Sequence, residues 1–195
     1  MSNLLRKNIE SKIAEPLTDE EFDFFLSLAK PKFIPAKEIL IHEGDRSTNL
    51  YFVDEGALYS YLIDTAGNAH VVQFAFEDYW ITDMYSFYMN KPALYNVETL
   101  EACRLLVFEP EGIQTVSDRL HKLERFFRVL VQNAYAHMQY RIARNLSADA
   151  EARYLELVEQ RPDIVQRVPQ FLIASYLGVK PQSLSRIRKK ISGRR

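Results

Sequence analysis

The sequence predicts an α+β chain. A double-stranded β-helix of the jelly-roll type comes first, one long helix follows, and a helix-turn-helix ends it. Three observations carry this. Short β-branched and aromatic runs recur between turn signals over residues 31–109. Apolar residues then step by three and four from about Leu120 to Leu146. The last stretch pairs two short amphipathic segments around a glycine and carries bases without acids.

Residues 17–29 read as a short helix. Thr18 is its expected N-cap, with Glu21 at capping-box spacing, and Phe22, Phe25, Leu26 and Leu28 give it an apolar face. The strands follow. Ile39–Ile41 precedes the turn at 42–45, and Leu50–Val53 precedes Asp54-Glu55-Gly56. Ala57–Ile63 meets Val71–Phe76 across Asp64-Thr65-Ala66-Gly67-Asn68, the pattern of a hairpin. Asn96–Glu101 and Arg104–Phe108 close the zone. Cys103 is the one cysteine, so an intrachain disulfide is excluded, and its Val/Leu-rich setting predicts a buried strand residue.

Pro110 opens a short helix. The long helix over Leu120–Leu146 would run about 40 Å, and Leu123, Phe127, Leu130 and Ala134 form its expected dimer seam. Phe126, Val129, Val131 and Tyr135 widen the apolar surface beyond one stripe. The reading is a spine that packs on the roll with one face and on a second subunit with the other. The alternative is burial wholly within its own chain. Ser147 is the expected N-cap of a helix over 148–160, ended by Arg161-Pro162. The expected domains are therefore 1–118 for the roll, 119–146 for the long helix and 147–195 for the terminal module.

The terminal motif spans Gln170–Ile191. Ala174 supplies the small residue where two helices cross, and Gly178, four later, the unusual backbone of the turn. Ile173, Leu177, Val179, Leu184 and Ile187 supply the inner faces, and Pro181 suits the first turn of the second helix. Gln182, Ser183 and Arg186 then lie on the outer face, where Gln matches adenine and Arg matches guanine. Lys180, Arg188, Lys189 and Lys190, with Arg194 and Arg195 beyond, fit phosphate contacts.

Charge sharpens this reading. The whole chain is at −1, which excludes a generally basic nucleic-acid binder. Yet the last 30 residues hold eight of the 25 bases and none of the 26 acids. At 47% hydrophobic and 26% charged residues, wholesale disorder is excluded as well. The N-terminus lacks the apolar stretch of a secretion signal and no run of about 18 apolar residues occurs. The expected location is the cytoplasm, with no membrane partner.

Taken in order, β-roll, long helix and terminal helix-turn-helix resemble the Crp/Fnr family of bacterial transcription regulators. The resemblance runs from about Leu17 to Ile191 and rests on Phe33–Asp45, Leu50–Gly56 and the terminal motif. It implies a cyclic-nucleotide-binding-like roll and a homodimer joined along the long helix. It also implies a palindromic double-stranded DNA site with one reading helix per half-site, and RNA polymerase as a further partner of an activator.

The sequence departs from the family twice. Members that bind cyclic AMP carry Gly-Glu and, about ten residues on, Arg beside Ser or Thr; the Glu holds the ribose and the Arg neutralises the phosphate. Here Ile81-Thr82-Asp83 stands in the first place and Ala93-Leu94-Tyr95 near the second. Lys91 is the one base nearby. Burying a phosphate without a paired charge is costly, so cyclic AMP is not the expected effector and no cofactor is required. Two readings of the stretch stand. Trp80, Thr82, Asp83, Tyr85, Lys91 and Tyr95 line a pocket for another small effector, or the side chains fill the roll themselves. The second departure is the wing, a β-hairpin that usually follows the reading helix and is reduced or missing here.

Two other functions compete for the same sequence. A metal-dependent enzyme on a cupin-like barrel would need clustered ligands, for which His42, Glu43 and His70 are the candidates; no metal site or catalytic residue is expected. The other is a cyclic-nucleotide-responsive regulator.

Overall fold

The computed structural model describes residues 2–46 and 49–193. The chain groups into two compact units, one of residues 1–60 and 74–134, the other of 61–73 and 135–195. The elements of the roll are α1 (Ser2–Ile13), α2 (Asp19–Ser27), β1 (Ala29–Ile34), β2 (Ile39–Ile41), β3 (Leu50–Glu55), β4 (Leu58–Ile63) and β5 (Ala69–Ala75). They continue with β6 (Trp80–Ile81), α3 (Met84–Met89), β7 (Asn96–Thr99), β8 (Cys103–Phe108) and α4 (Pro110–Arg119). The strands form two four-stranded sheets, ordered β1-β8-β3-β6 and β2-β7-β4-β5. The expected β-roll is present.

Antiparallel pairing sets the first sheet. Ala29 faces Phe108 and Ile34 faces Cys103 along β1–β8, and Leu50 faces Phe108 along β3–β8. Cys103 is fully buried, as its setting predicted. Gly56 follows β3 with φ +104°. A Cβ there would meet Cys103 Sγ at 2.6 Å and the Ala102 carbonyl at 2.8 Å, so both backbone and space require glycine.

The capping box at α2 forms as the spacing predicted: Glu21 N–H donates to the Thr18 hydroxyl at 3.2 Å and Thr18 N–H to the Glu21 carboxylate at 2.8 Å. Three elements of the roll were not expected from the sequence. α1 buries Leu5, Ile9 and Ile13, a stripe at spacing four, with Leu4 packed beside it. β6 is two residues long and α3 six, too short for periodicity to register.

The main core joins α1 and α2 to β3, β6, β8 and the start of the long helix. Phe25 stacks on Phe108 with centroids 4.7 Å apart, and Trp80 packs within 5.1–5.7 Å of Phe52, Phe108 and Phe126. A second cluster fills the space between the sheets with Ile41, Tyr51, Val53, Leu58, Val97, Leu105 and Val107. Asn8 ties α1 to the strands from inside the first core. Its amide donates to the carbonyl and carboxylate of Asp78, both at 2.8 Å, and its oxygen accepts from Trp80 Nε1 at 2.9 Å.

The helical part holds α5 (His121–Ser147), α6 (Ala150–Gln160), α7 (Ile164–Arg167), α8 (Gln170–Tyr176) and α9 (Pro181–Ser192). The N-cap of α6 is Asp149, whose carboxylate accepts from Ala152 N–H at 2.8 Å, and Ser147 belongs to α5. The expected cap is displaced by two residues because α5 continues one residue beyond Leu146 and Asp149 is the better-placed acceptor. The hairpin between β4 and β5 forms as expected. Asp64 N–H donates to Asn68 O at 3.0 Å, and the Asp64 carboxylate accepts from Ala66 and Asn68 N–H groups.

Candidate functional site

The terminal motif folds as two helices, α8 and α9, joined by residues 177–180. Ala174 is fully buried, and Leu172, Ile173, Leu177 and Leu184 are buried as well; Val179 and Ile187 are half-buried. Gly178 has φ +65°, the left-handed turn expected of it. Its N–H donates to Ser175 O at 2.9 Å, and Val179 N–H donates to Ala174 O at 2.9 Å. Pro181 opens α9, where its missing N–H costs nothing. No strand follows α9 among the described residues.

This packing decides which side of α9 is free. Leu184 points inward, so Gln182, Ser183 and Arg186 are exposed together. Lys180 and Lys189 are exposed as well, and Arg188 is half-buried. Lys190 pairs with Glu151 of α6 at 2.5 Å, which draws part of its charge away from an incoming phosphate. Arg194 and Arg195 lie outside the described residues.

Sequence reasoning missed Ser175. Its hydroxyl donates to Ala69 O at 2.9 Å and accepts from Val71 N–H at 3.0 Å, so α8 satisfies two backbone groups of β5, an edge strand. A half-buried serine gives no sequence signal of such a contact. In the same hairpin the Asp64 carboxylate is held well below its usual range, first by His70 at 2.7 Å and then by Asn68.

The long helix departs from expectation in where its apolar residues go. Leu123 and Phe127 are 0% and 6% exposed within their own chain's core, and Leu130 packs against that core. The seam expected on Leu123 and Phe127 is therefore corrected: their side chains are already covered. Ala134 is exposed, and after it come Tyr135, Met138, Tyr140, Ile142 and Leu146, each with about half or more of its surface open.

The six residues expected to line an effector pocket have divergent surroundings. Trp80 belongs to the main core and its N–H is taken by Asn8. Thr82 is buried, with its hydroxyl donating to Asn49 O at 2.8 Å. Tyr85 and Lys91 are exposed and Tyr95 is half-buried. Asp83 has no exposed surface. Its carboxylate accepts from Ser86 N–H at 2.7 Å, Leu94 N–H at 2.8 Å and Tyr95 N–H at 3.0 Å.

His42, Glu43 and Asp45 serve the turn before β3. The Asp45 carboxylate accepts from His42 N–H at 2.7 Å, and Glu43 N–H donates to the Asn96 side chain at 3.1 Å. Among the described residues no group of three or more His, Cys, Asp or Glu side chains is placed to hold a metal ion. No helix among them is long and apolar enough to cross a membrane.

Residues 31–119 match the model of the cyclic nucleotide-binding domain. Among solved structures, the chain is similar to the c-di-GMP responsive global regulator CLP of Xanthomonas campestris. The TM-score is 0.70 at 16% identity, over 90% of this chain and 92% of that one. It is similar to FixK2 of Bradyrhizobium japonicum at TM-score 0.75 and 12% identity, over 85% of both chains. A putative transcriptional regulator of the crp/fnr family from Eubacterium rectale gives TM-score 0.70 and 12% identity, over 91% of this chain and 85% of that one. At these identities the likeness is one of fold. Among curated protein sequences nothing matches.

Proposed function

Because residues 31–119 match a cyclic nucleotide-binding domain and the chain carries the fold of the Crp/Fnr regulators, we propose that it is a transcription regulator. It binds a palindromic DNA site as a homodimer. The observation that carries this is α9: Gln182, Ser183 and Arg186 stand exposed together on a helix that packs against α8 and buries Leu184. Arg186 and Gln182 read base edges, while Lys180, Arg188 and Lys189 anchor phosphates. Lys190 joins them only by leaving Glu151.

The open apolar run from Tyr135 to Leu146 supports a second copy along α5, where two such helices would cover each other. The reading gives the protein no catalytic step, and two of the similar structures named above, CLP and the Eubacterium rectale protein, are described as regulators. It places the protein with DNA in the cytoplasm, and with RNA polymerase when it activates. An effector of the roll, where one acts, is not cyclic AMP, since no arginine stands beside Leu94 and Tyr95 to meet the phosphate.

Selection of bound duplexes from a random DNA pool, with and without cyclic AMP, tests the reading. An enriched palindrome in both arms is expected, with a dimer in sedimentation. Binding that is salt-sensitive and equal for all sequences in both arms would refute it.

A further inference from the structure

Among the described residues of the roll, one carboxyl group is fully buried, and its partners are all backbone. Asp83 ends β6's loop and caps α3, and its carboxylate has no exposed surface. One oxygen accepts from Ser86 N–H in the first turn of α3. The other accepts from Leu94 and Tyr95 N–H groups, eleven and twelve residues further on. A carboxylate out of water is tolerated only where such donors replace its hydration. Three converging N–H groups from two segments make an electropositive seat for an anion.

The second segment is itself fixed. Ala93 N–H donates to Asp45 O at 2.8 Å, and Gly44 N–H donates to Ala93 O at 2.9 Å. The seat is thus built from three parts of the roll, and the Asp83 carboxylate fills it. Ser86 adds a hydroxyl that is 1% exposed and has no partner among the described residues.

We propose that Asp83 is a specificity-determining residue of the roll. It is a resident anion that occupies the N–H groups a phosphate or carboxylate ligand would need, and so closes the roll to anionic effectors, cyclic nucleoside monophosphates among them. An incoming anion would have to displace a covalently tethered one, and both could not share the seat without strong like-charge repulsion. This deepens the reading of residues 31–119 as a cyclic-nucleotide-binding-like roll and is independent of DNA binding.

Thermal unfolding of the full chain tests it without DNA, using cyclic AMP, sodium formate and inorganic phosphate as probes against chloride of equal ionic strength. The wild type should show no shift with any probe beyond the chloride control. Asp83→Ala should melt lower by at least about 4 °C and recover part of that loss with formate or phosphate. Asp83→Asn keeps the shape but turns an N–H₂ toward the donors, so it should melt lower than wild type as well. The proposal is overturned if cyclic AMP stabilises the wild type, if Asp83→Asn matches the wild type, or if no anion raises the melting temperature of Asp83→Ala. Should Asp83→Ala be unfolded in chloride, folding on addition of formate supports the proposal and failure to fold in every anion overturns it.

Discussion

Gly56 and Gly178 have the same backbone requirement and opposite surroundings, so the same substitution should cost them very different amounts. Both have positive φ, +104° and +65°. A side chain in the left-handed region costs about 1–2 kcal/mol at either. At Gly178 a Cβ meets nothing within 4 Å. Alanine there also shrinks the unfolded ensemble, which returns about 0.4–1 kcal/mol and leaves a net cost of about 1 kcal/mol. At Gly56 the Cβ lands 2.6 Å from Cys103 Sγ and 2.8 Å from the Ala102 carbonyl. Both belong to the β8 segment, which pairs with β1 and β3 and cannot easily give. Overpacking adds about 1–3 kcal/mol to the same net backbone cost of about 1 kcal/mol, for roughly 2–4 kcal/mol in all. Urea unfolding separates the two. Trp80, the single tryptophan, reports the unit that contains Gly56. Gly56→Ala should move its midpoint down by about 1–2 M, whereas Gly178→Ala should leave the tryptophan transition in place and lower only the helical signal of α8 and α9. Gly178→Asn should approach wild type, because Asn visits this region readily. Equal midpoints for Gly56→Ala and Gly178→Ala in the tryptophan transition would refute the reasoning.

Three further outcomes follow from the contacts. Asn8→Ala removes the acceptor of buried Trp80 Nε1 and should destabilise by about 1–3 kcal/mol, read as an earlier tryptophan transition; an unchanged midpoint would mean the indole finds another partner. Arg186→Ala should lower preference for the selected DNA site by about 1–3 kcal/mol, while Lys189→Ala should weaken all sequences alike and flatten the salt dependence. The same effect from both would dissolve the distinction between reading and anchoring. Acid should loosen the junction of α1 and α2. Glu10 is held below the usual glutamate range by Leu17 N–H and then Arg6, and Glu21 by Lys122 and then Thr18 N–H. Their folded pKa values lie below the unfolded ones, so the unfolded chain binds more protons as pH falls. The stabilisation is full above about pH 4.3 and is lost as pH drops through the folded values. Glu10→Gln with Glu21→Gln should flatten that acid limb in melting temperature against pH.

What the sequence disclosed tracks the range of the forces involved. The Thr18 cap, the Asp64–Asn68 hairpin and the Ala174–Gly178 turn each depend on residues within a few positions, and all three form as read. α1 escaped because its buried Leu5, Ile9 and Ile13 acquire meaning only against β3 and β6, some 40–70 residues away. Trp80 and Asp83 escaped for the same reason. Composition groups them with Tyr85 and Tyr95 as an aromatic pocket. The structure instead gives Trp80 to a core built with Phe52, Phe108 and Phe126, and Asp83 to amides at positions 94 and 95.

The long helix shows how periodicity finds a stripe without saying what covers it. Leu123, Phe127, Leu130 and Ala134 keep one spacing of three and four, yet their exposures rise along the helix from fully buried to open. The reason lies in the partner elements. Phe25, Phe108 and Trp80 reach the first two turns of α5, where Leu123, Phe126 and Phe127 meet them. Beyond Ala134 the helix continues to Ser147, with Tyr135, Met138, Tyr140, Ile142 and Leu146 open. A continuous helix cannot shed these side chains, and an isolated exposed stripe of this length is costly to leave in water. The seam proposed for a second copy therefore belongs on the distal half of α5, and substitutions of Leu123 and Phe127 act on the stability of the roll rather than on assembly.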